Sequence, residues 1–201
     1  LIYAIVGTCL NIFMTIIAAY PLSRKDLAGR NVITMIFAFT MWFSGGLIPQ
    51  YLLVKDLGLL DTCWAIILPA ALNVWNMIIT RTYFQTNIPD ELLESAKLDG
   101  AGAFSVFSNR CLPLTWSSVA TIAVYAAYTT WNDYLIALVF ANSNSIKTFN
   151  VGLTNLAIGQ YGTDWGLLTS SSIIGLMPIL ILFVFLQKYF IKGIMAGAVK
   201  G

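Results

Sequence analysis

Apolar residues along this chain gather into long runs rather than alternating with polar ones. Five runs stand out, at 1–22, 31–54, 62–80, 114–140 and 166–187. Each is long enough to cross a hydrocarbon core, which takes about 20 mostly apolar residues in a helix. Buried helices of a large soluble core read similarly. Five such runs in 201 residues, however, leave too little polar sequence to cover a core of that kind. The expected fold is therefore all-α, a polytopic membrane helical bundle with five spans in this chain. Leu1 is not an initiator methionine, no signal peptide precedes it, and the first residues already read as membrane helix. A missing natural N-terminus is expected.

Composition agrees with a membrane protein: 58% of residues are hydrophobic and 10% charged, against about a quarter charged in a soluble domain. The formal net charge of +2 gives no reason to expect a nucleic-acid partner. The absence of histidine removes imidazole catalysis and the commonest metal ligand. Cys9, Cys63 and Cys111 have neither a metal-site spacing nor an even-numbered disulfide framework. All three read as buried free thiols, and no catalytic or metal site is expected.

The placement of charge sets an orientation. Arg24, Lys25 and Arg30 follow the first run, Arg81, Lys97 and Arg110 follow the third, and Lys188, Lys192 and Lys200 lie in the tail. The opposite side holds only Lys55 and Lys147. Basic residues are retained on the cytoplasmic side, so segment 23–30, loop 81–113 and the C-terminus are expected in the cytoplasm. Gly45, Gly46 and Pro49 interrupt the second run, Pro69 the third and Pro178 the fifth. Proline removes a backbone donor and kinks helices. These breaks read either as ordinary bundle packing or as bends that shape a translocation path.

Loop 81–113 looks folded. Pro89 suits the first turn of a helix. Asp90, Glu91 and Glu94 complement the positive helix end, and Lys97 the negative end. Gly100 suits a left-handed stop. Leu92 and Ala96, four apart, share a face, and residues 101–107 are expected to add a further short turn.

The run Glu94-Ser95-Ala96-Lys97-Leu98-Asp99-Gly100-Ala101, followed by Phe107 and Leu112-Pro113-Leu114, closely resembles the EAA loop of binding-protein-dependent ABC importer permeases. Ser95 replaces a small residue of that pattern, and Arg110 stands where an aliphatic residue is usual. The tail from Gln187 to Gly201 is similar to that of carbohydrate-uptake permeases, the group that includes the maltose system's smaller permease. Phe43-Ser44-Gly45-Gly46-Leu47-Ile48-Pro49 resembles a subgroup associated with complex or acidic oligosaccharides. The resemblance covers essentially the whole chain. It implies that residues 1–201 form a single permease domain lacking an N-terminal span, and that 81–113 is its cytoplasmic coupling loop. Glu94, Ser95, Ala96, Asp99, Gly100 and Ala101 would then dock on an ATPase subunit. Further implied partners are a second, different permease subunit, an extracytoplasmic solute-binding protein, a carbohydrate and membrane lipid, in a bacterial cell membrane. ATP and Mg would be bound by the ATPase, with no cofactor in this chain. The sequence agrees in holding no Gly-x-x-x-x-Gly-Lys-[Ser/Thr] phosphate loop.

The fourth run carries Tyr128, Trp131, Asn132 and Asp133. Tyr128 and Asn132 share a helix face. A carboxylate near a bilayer centre costs about 2.5–3.5 kcal/mol, so Asp133 is expected to face a partner helix, a wet cavity or the outer interface. Aromatic faces beside amides suit sugar rings, and the resemblance implies that this segment lines the cavity. Structural hydrogen bonding and interfacial anchoring read equally from the residues. In the third run Asn73 and Asn76 share a face and read as interhelical glue or as pore lining. Thr169–Ser172 read as small packing residues. An ion-driven secondary carrier, an ABC importer of a non-sugar solute, a membrane enzyme and a structural membrane protein are the alternatives. No internal repeat and no nucleophile–base constellation favours a carrier or an enzyme.

Overall fold

The computed structural model describes residues 1–158 and 164–198, with the side chains of Lys97, Ser117, Leu186 and 188–198 outside that description. Every regular element among these residues is helical. Two helices are long and apolar enough to span a bilayer, α1 (Ile2–Ser23) and the Trp165–Phe185 part of α12 (Trp165–Ala198). The other expected spans are broken, for identifiable local reasons.

The second run forms α2 (Arg30–Trp42) and α3 (Leu47–Asp56), bent by 110°. Gly46, at φ 85°, makes a corner that side-chain-bearing residues disfavour. The third run, expected as one span, is instead α4 (Cys63–Ile67) and α5 (Val74–Asn87), separated by turns. Pro69 cannot donate to a continuing ladder, and Asn73 restarts the helix by accepting the Asn76 N–H at 3.1 Å. The fourth run divides into α9 (Trp116–Asn132) and α10 (Leu135–Phe140). By length and composition the described residues give up to four candidate crossings, the two long helices and the bent pairs Arg30–Trp42 with Leu47–Asp56 and Ala103–Leu114 with Ser118–Asn132.

The chain forms two compact units. One comprises Leu1–Cys9, Gly45–Ala71 and Val124–Phe185. Its core has two clusters, one around Ile66, Ala137, Ala141 and Val151 and one around Val54, Ala65 and Phe140. α11 (Phe149–Ala157) contributes Val151. The Trp131 indole donates to Gly175 O at 3.0 Å, and the Asn150 side chain donates to Trp131 O at 2.7 Å. A Cβ at Gly175 would run into the Phe149 ring, so this glycine permits close packing.

The other unit comprises Leu10–Ser44, Leu72–Ala123 and Leu186–Gly201. Its core joins Ile16, Ala19 and Leu22 of α1 to Met77 and Phe84 of α5, with Ala96, Val106 and Cys111 from the loop. The Tyr20 ring meets Phe84 at 5.7 Å and Phe107 at 4.7 Å. Arg81 Nε donates to Leu22 O at 2.9 Å, satisfying a carbonyl that the end of α1 leaves free. α2 buries no residue in this chain, as suits an apolar surface meant for lipid or a partner helix. Of the three cysteines only Cys111 is buried; Cys63 is half-buried and Cys9 faces outward from α1.

Candidate functional site

The site begins where α5 ends. Ile88 is extended at φ −104°, ψ 110°, the conformation that a following proline favours. Pro89 then opens α6 (Asp90–Leu98), with Asp90 and Glu91 in the first turn. Lys25, in the turn after α1, donates to Asp90 at 2.5 Å and holds its carboxyl below the ordinary value. That contact ties the start of α6 to the turn between α1 and α2. Arg24 pairs with Asp26 across the same turn at 3.1 Å.

One face of α6 is anchored. Ala96 is fully buried, and Leu92 and Leu93 pack against the same core, as the four-residue spacing of Leu92 and Ala96 requires. Gly100 adopts φ 70°. Around it the Asp99 N–H reaches Ser95 O and the Ala101 N–H reaches Ala96 O, both at 3.0 Å. The second bond spans six residues, the closure of a Schellman helix end. Ser95 Oγ donates to Leu92 O at 3.0 Å. Arg110 sits 3.4 Å from the Asp99 carboxylate in an exposed ion pair, an arrangement no aliphatic residue there would give. α7 (Ala103–Val106) leads into a π-helical turn, Phe107–Cys111, and then α8 (Leu112–Leu114). Ala103–Leu114 and Ser118–Asn132 meet at 81°.

The remaining faces point outward. Glu94 lines a cleft of about 630 Å³ that it shares with Arg24, Lys25, Arg30 and Asp90. Leu98 and Phe104 are 90% and 79% exposed, so two large apolar side chains project from the corner around Gly100. Neither was singled out from the sequence. A helical wheel places Leu98 six residues, about 240°, past Leu92, well off the buried face, and that signal was available. The Lys25–Asp90 contact joins residues 65 apart and had no sequence signal.

The path candidates fall into two separate groups. In the first unit, Tyr128 is 54% exposed, and Asn132 is exposed with its amide donating to Tyr128 O at 2.9 Å. Trp131 is engaged with Gly175 O. Asp133 accepts the Ile136 N–H at 3.3 Å in the first turn of α10. In the second unit, Asn73 caps α5, and Asn76 is buried with its Nδ2 unpartnered. Among the described residues no three His, Cys, Asp or Glu side chains gather in one place. Lys200 and the side chains of Lys188 and Lys192 lie outside the described residues.

A family of proteins described as binding-protein-dependent transport system inner membrane components matches residues 1–196. The chain belongs to this family. As a family member it is a transport permease subunit and a membrane protein. It is 40% identical to the polygalacturonan/rhamnogalacturonan transport system permease protein YtcP of Bacillus subtilis (strain 168), over 98% of this chain and 73% of that protein. It is 32% identical to the arabinooligosaccharides transport system permease protein AraQ of Halalkalibacterium halodurans, over 98% of this chain and 71% of the relative. Among solved structures it resembles a bacterial ABC transporter involved in the import of the acidic polysaccharide alginate. The TM-score is 0.86 at 29% identity, covering 94% of this chain and 72% of the other.

Proposed function

We propose that this permease carries a sugar or oligosaccharide across the bacterial cell membrane and takes its energy from a separate ATPase docked on α6. The observation that carries the coupling role is the build of α6 itself. One face is sealed into the core through Ala96, its end is fixed at Gly100, and Glu94, Leu98 and Phe104 are left outward. A helix held rigidly on one side and bare on the other can pass a push from a partner to the helices beneath it. α6 and α7 run through Val106 and Cys111 into the core shared with α1 and α5, so a displacement of the loop acts on packed helices. Two large exposed apolar side chains also fit a protein partner better than water. The sequence lacks a phosphate loop, in keeping with hydrolysis on another subunit.

The carbohydrate class is supported by relatives named for polygalacturonan/rhamnogalacturonan and arabinooligosaccharide transport. The alginate transporter adds a second acidic polymer, which makes acidic oligosaccharides the first to test. Nine of the eleven basic residues on one side support a cytoplasmic α6 and C-terminus. A solute-binding protein then approaches from the other face, and a second permease subunit completes the path. Tyr128 and Asn132 are the path candidates with exposed side chains, while Trp131 and Asp133 hold the surrounding backbone.

Copurification from native membranes with mass spectrometry tests this reading. An ATPase, a second permease, a solute-binding protein and an oligosaccharide bound to the last are expected. The purified chain alone should hydrolyse no ATP. Hydrolysis by the chain free of other subunits, or its isolation without any ATPase, contradicts the proposal.

A further inference from the structure

In the first unit a single carboxylate, Asp61, joins two loops. After α3 the chain turns at Gly58, φ 67°, and reaches Asp61, the one non-glycine residue with positive φ, at 61°, among those described. L-residues avoid this left-handed region, although aspartate tolerates it better than most. The conformation is held by four hydrogen bonds to one short segment. The Asp61 N–H donates to Phe140 O at 3.0 Å. Asp61 Oδ1 accepts the Asn142 N–H at 2.9 Å, the Ser143 N–H at 2.8 Å and the Ser143 hydroxyl at 3.0 Å. These bonds, led by that from the Ser143 backbone, keep the carboxyl below its ordinary value.

The clasp sits at the boundary between core and loop. Phe140 and Ala141 are buried, whereas Asn142, Asn144 and Ser145 are exposed. Beyond Ser143 the loop is held by contacts within itself, Ser143 Oγ with Ser145 Oγ at 3.2 Å and Lys147 donating to Asn144 at 2.8 Å, and by Ile146, which packs against the core cluster around Ile66 and Val151. At the far end Thr148 leads into α11. Asp61 therefore fixes the point at which the loop leaves the core, and Ile146 returns the loop to it. Both loops lie on the face with only Lys55 and Lys147 as basic residues.

We propose that Asp61 is a positioning residue for import, fixing the outer loop 142–147 in the shape that the solute-binding protein docks against. The inference rests on the orientation under Proposed function. A binding protein outside the membrane reaches only the outer loops, and this one presents the exposed polar residues Asn142, Asn144 and Ser145 directly after the Asp61 clasp. A carboxylate accepting three donors is a stiffer anchor than a neutral acceptor, because charge-assisted hydrogen bonds are roughly twice as strong.

The test uses the intact transporter in nanodiscs and its copurified binding protein carrying a fluorescent label. Asp61→Gly keeps the positive φ without strain and removes the clasp. It should raise the Kd for the binding protein about tenfold, on the scale of losing one or two hydrogen bonds to a charged group. ATP hydrolysis without binding protein and the yield of assembled complex should hold. Asp61→Asn, which keeps an acceptor oxygen, should give a smaller shift in the same direction, and it decides the matter if Asp61→Gly does not assemble. A Kd within twofold of wild type for Asp61→Gly, or for Asp61→Asn in that event, overturns the proposal. Equal losses of Kd and of basal hydrolysis also overturn it, because they mark a merely structural residue. A cysteine at Asn144 separates the two readings. Labelling from the cytoplasm only would remove the orientation itself, whereas labelling from outside with an unchanged Kd would remove the role of Asp61 alone.

Discussion

Asp133 stands two residues from Trp131, in a segment whose aromatic and amide groups suit a sugar ring. Its carboxylate is nevertheless taken up locally, since it accepts the Ile136 N–H and starts α10 after the break that ends α9. Trp131 is held similarly through Gly175 O. Side chains occupied in this way shape a cavity wall through the backbone they fix. Asp133→Ala removes a capping acceptor, worth about 1 kcal/mol, and should lower the yield of assembled complex by a fewfold. Asp133→Asn keeps the acceptor oxygen and should assemble and import near wild type. Uptake of radiolabelled oligosaccharide per assembled complex is the measurement. An Asn variant that assembles but does not import would show that the charge itself serves the path.

Two glycines, one at the end of α6 and one inside α12, are required for opposite reasons. Gly100 has open space where a Cβ would go, but its φ of 70° is one that other residues resist. Gly175 is limited by space, because a Cβ meets the Phe149 ring. Gly100→Ala should cost about 1 kcal/mol through the dihedral alone, with Gly100→Pro worse because proline cannot adopt that φ. Both variants should insert normally, and the proline should cut copurification of the ATPase, or the stimulation of its hydrolysis by the loaded binding protein. Glu94→Lys should act in the same direction more weakly. Wild-type coupling in Gly100→Pro would remove α6 as the coupling element. The end of α6 was legible because Pro89, the first-turn acids and Gly100 act within one or two turns. The corner at 43–46 and the break at 68–73 were blurred, since hydropathy stays high across them while the chain changes direction.

At the scale of the whole molecule, the orientation rests on charge on the two faces. Cysteines introduced at Ser23 and Ser95 should react with a membrane-impermeant maleimide in inverted vesicles and stay protected in intact cells. A cysteine at Asn144 should do the reverse. The inverse pattern would overturn the topology, and with it the cytoplasmic setting of α6. Ser23 ends α1, Ser95 lies on an exposed face of α6 and Asn144 lies in an exposed loop, so the substitutions should leave assembly unchanged.

What the sequence determined by itself was set by local chemistry: an all-helical membrane protein, a short helix from Pro89 to Gly100, and a loop pattern that resembles importer permeases. Hydrophobicity, proline, glycine and helix-end charges act over a few residues and are readable in order along the chain. The tertiary structure decided which apolar runs stay continuous and which polar side chains remain available. Asn73, Trp131 and Asp133 each have a hydrogen-bonding group taken by a partner within the fold. It also decided the distant pairings, Lys25 with Asp90 across 65 residues and Asp61 with Ser143 across 82. Those contacts depend on how separate helices pack, and packing brings together residues whose spacing in the chain carries no periodic signal.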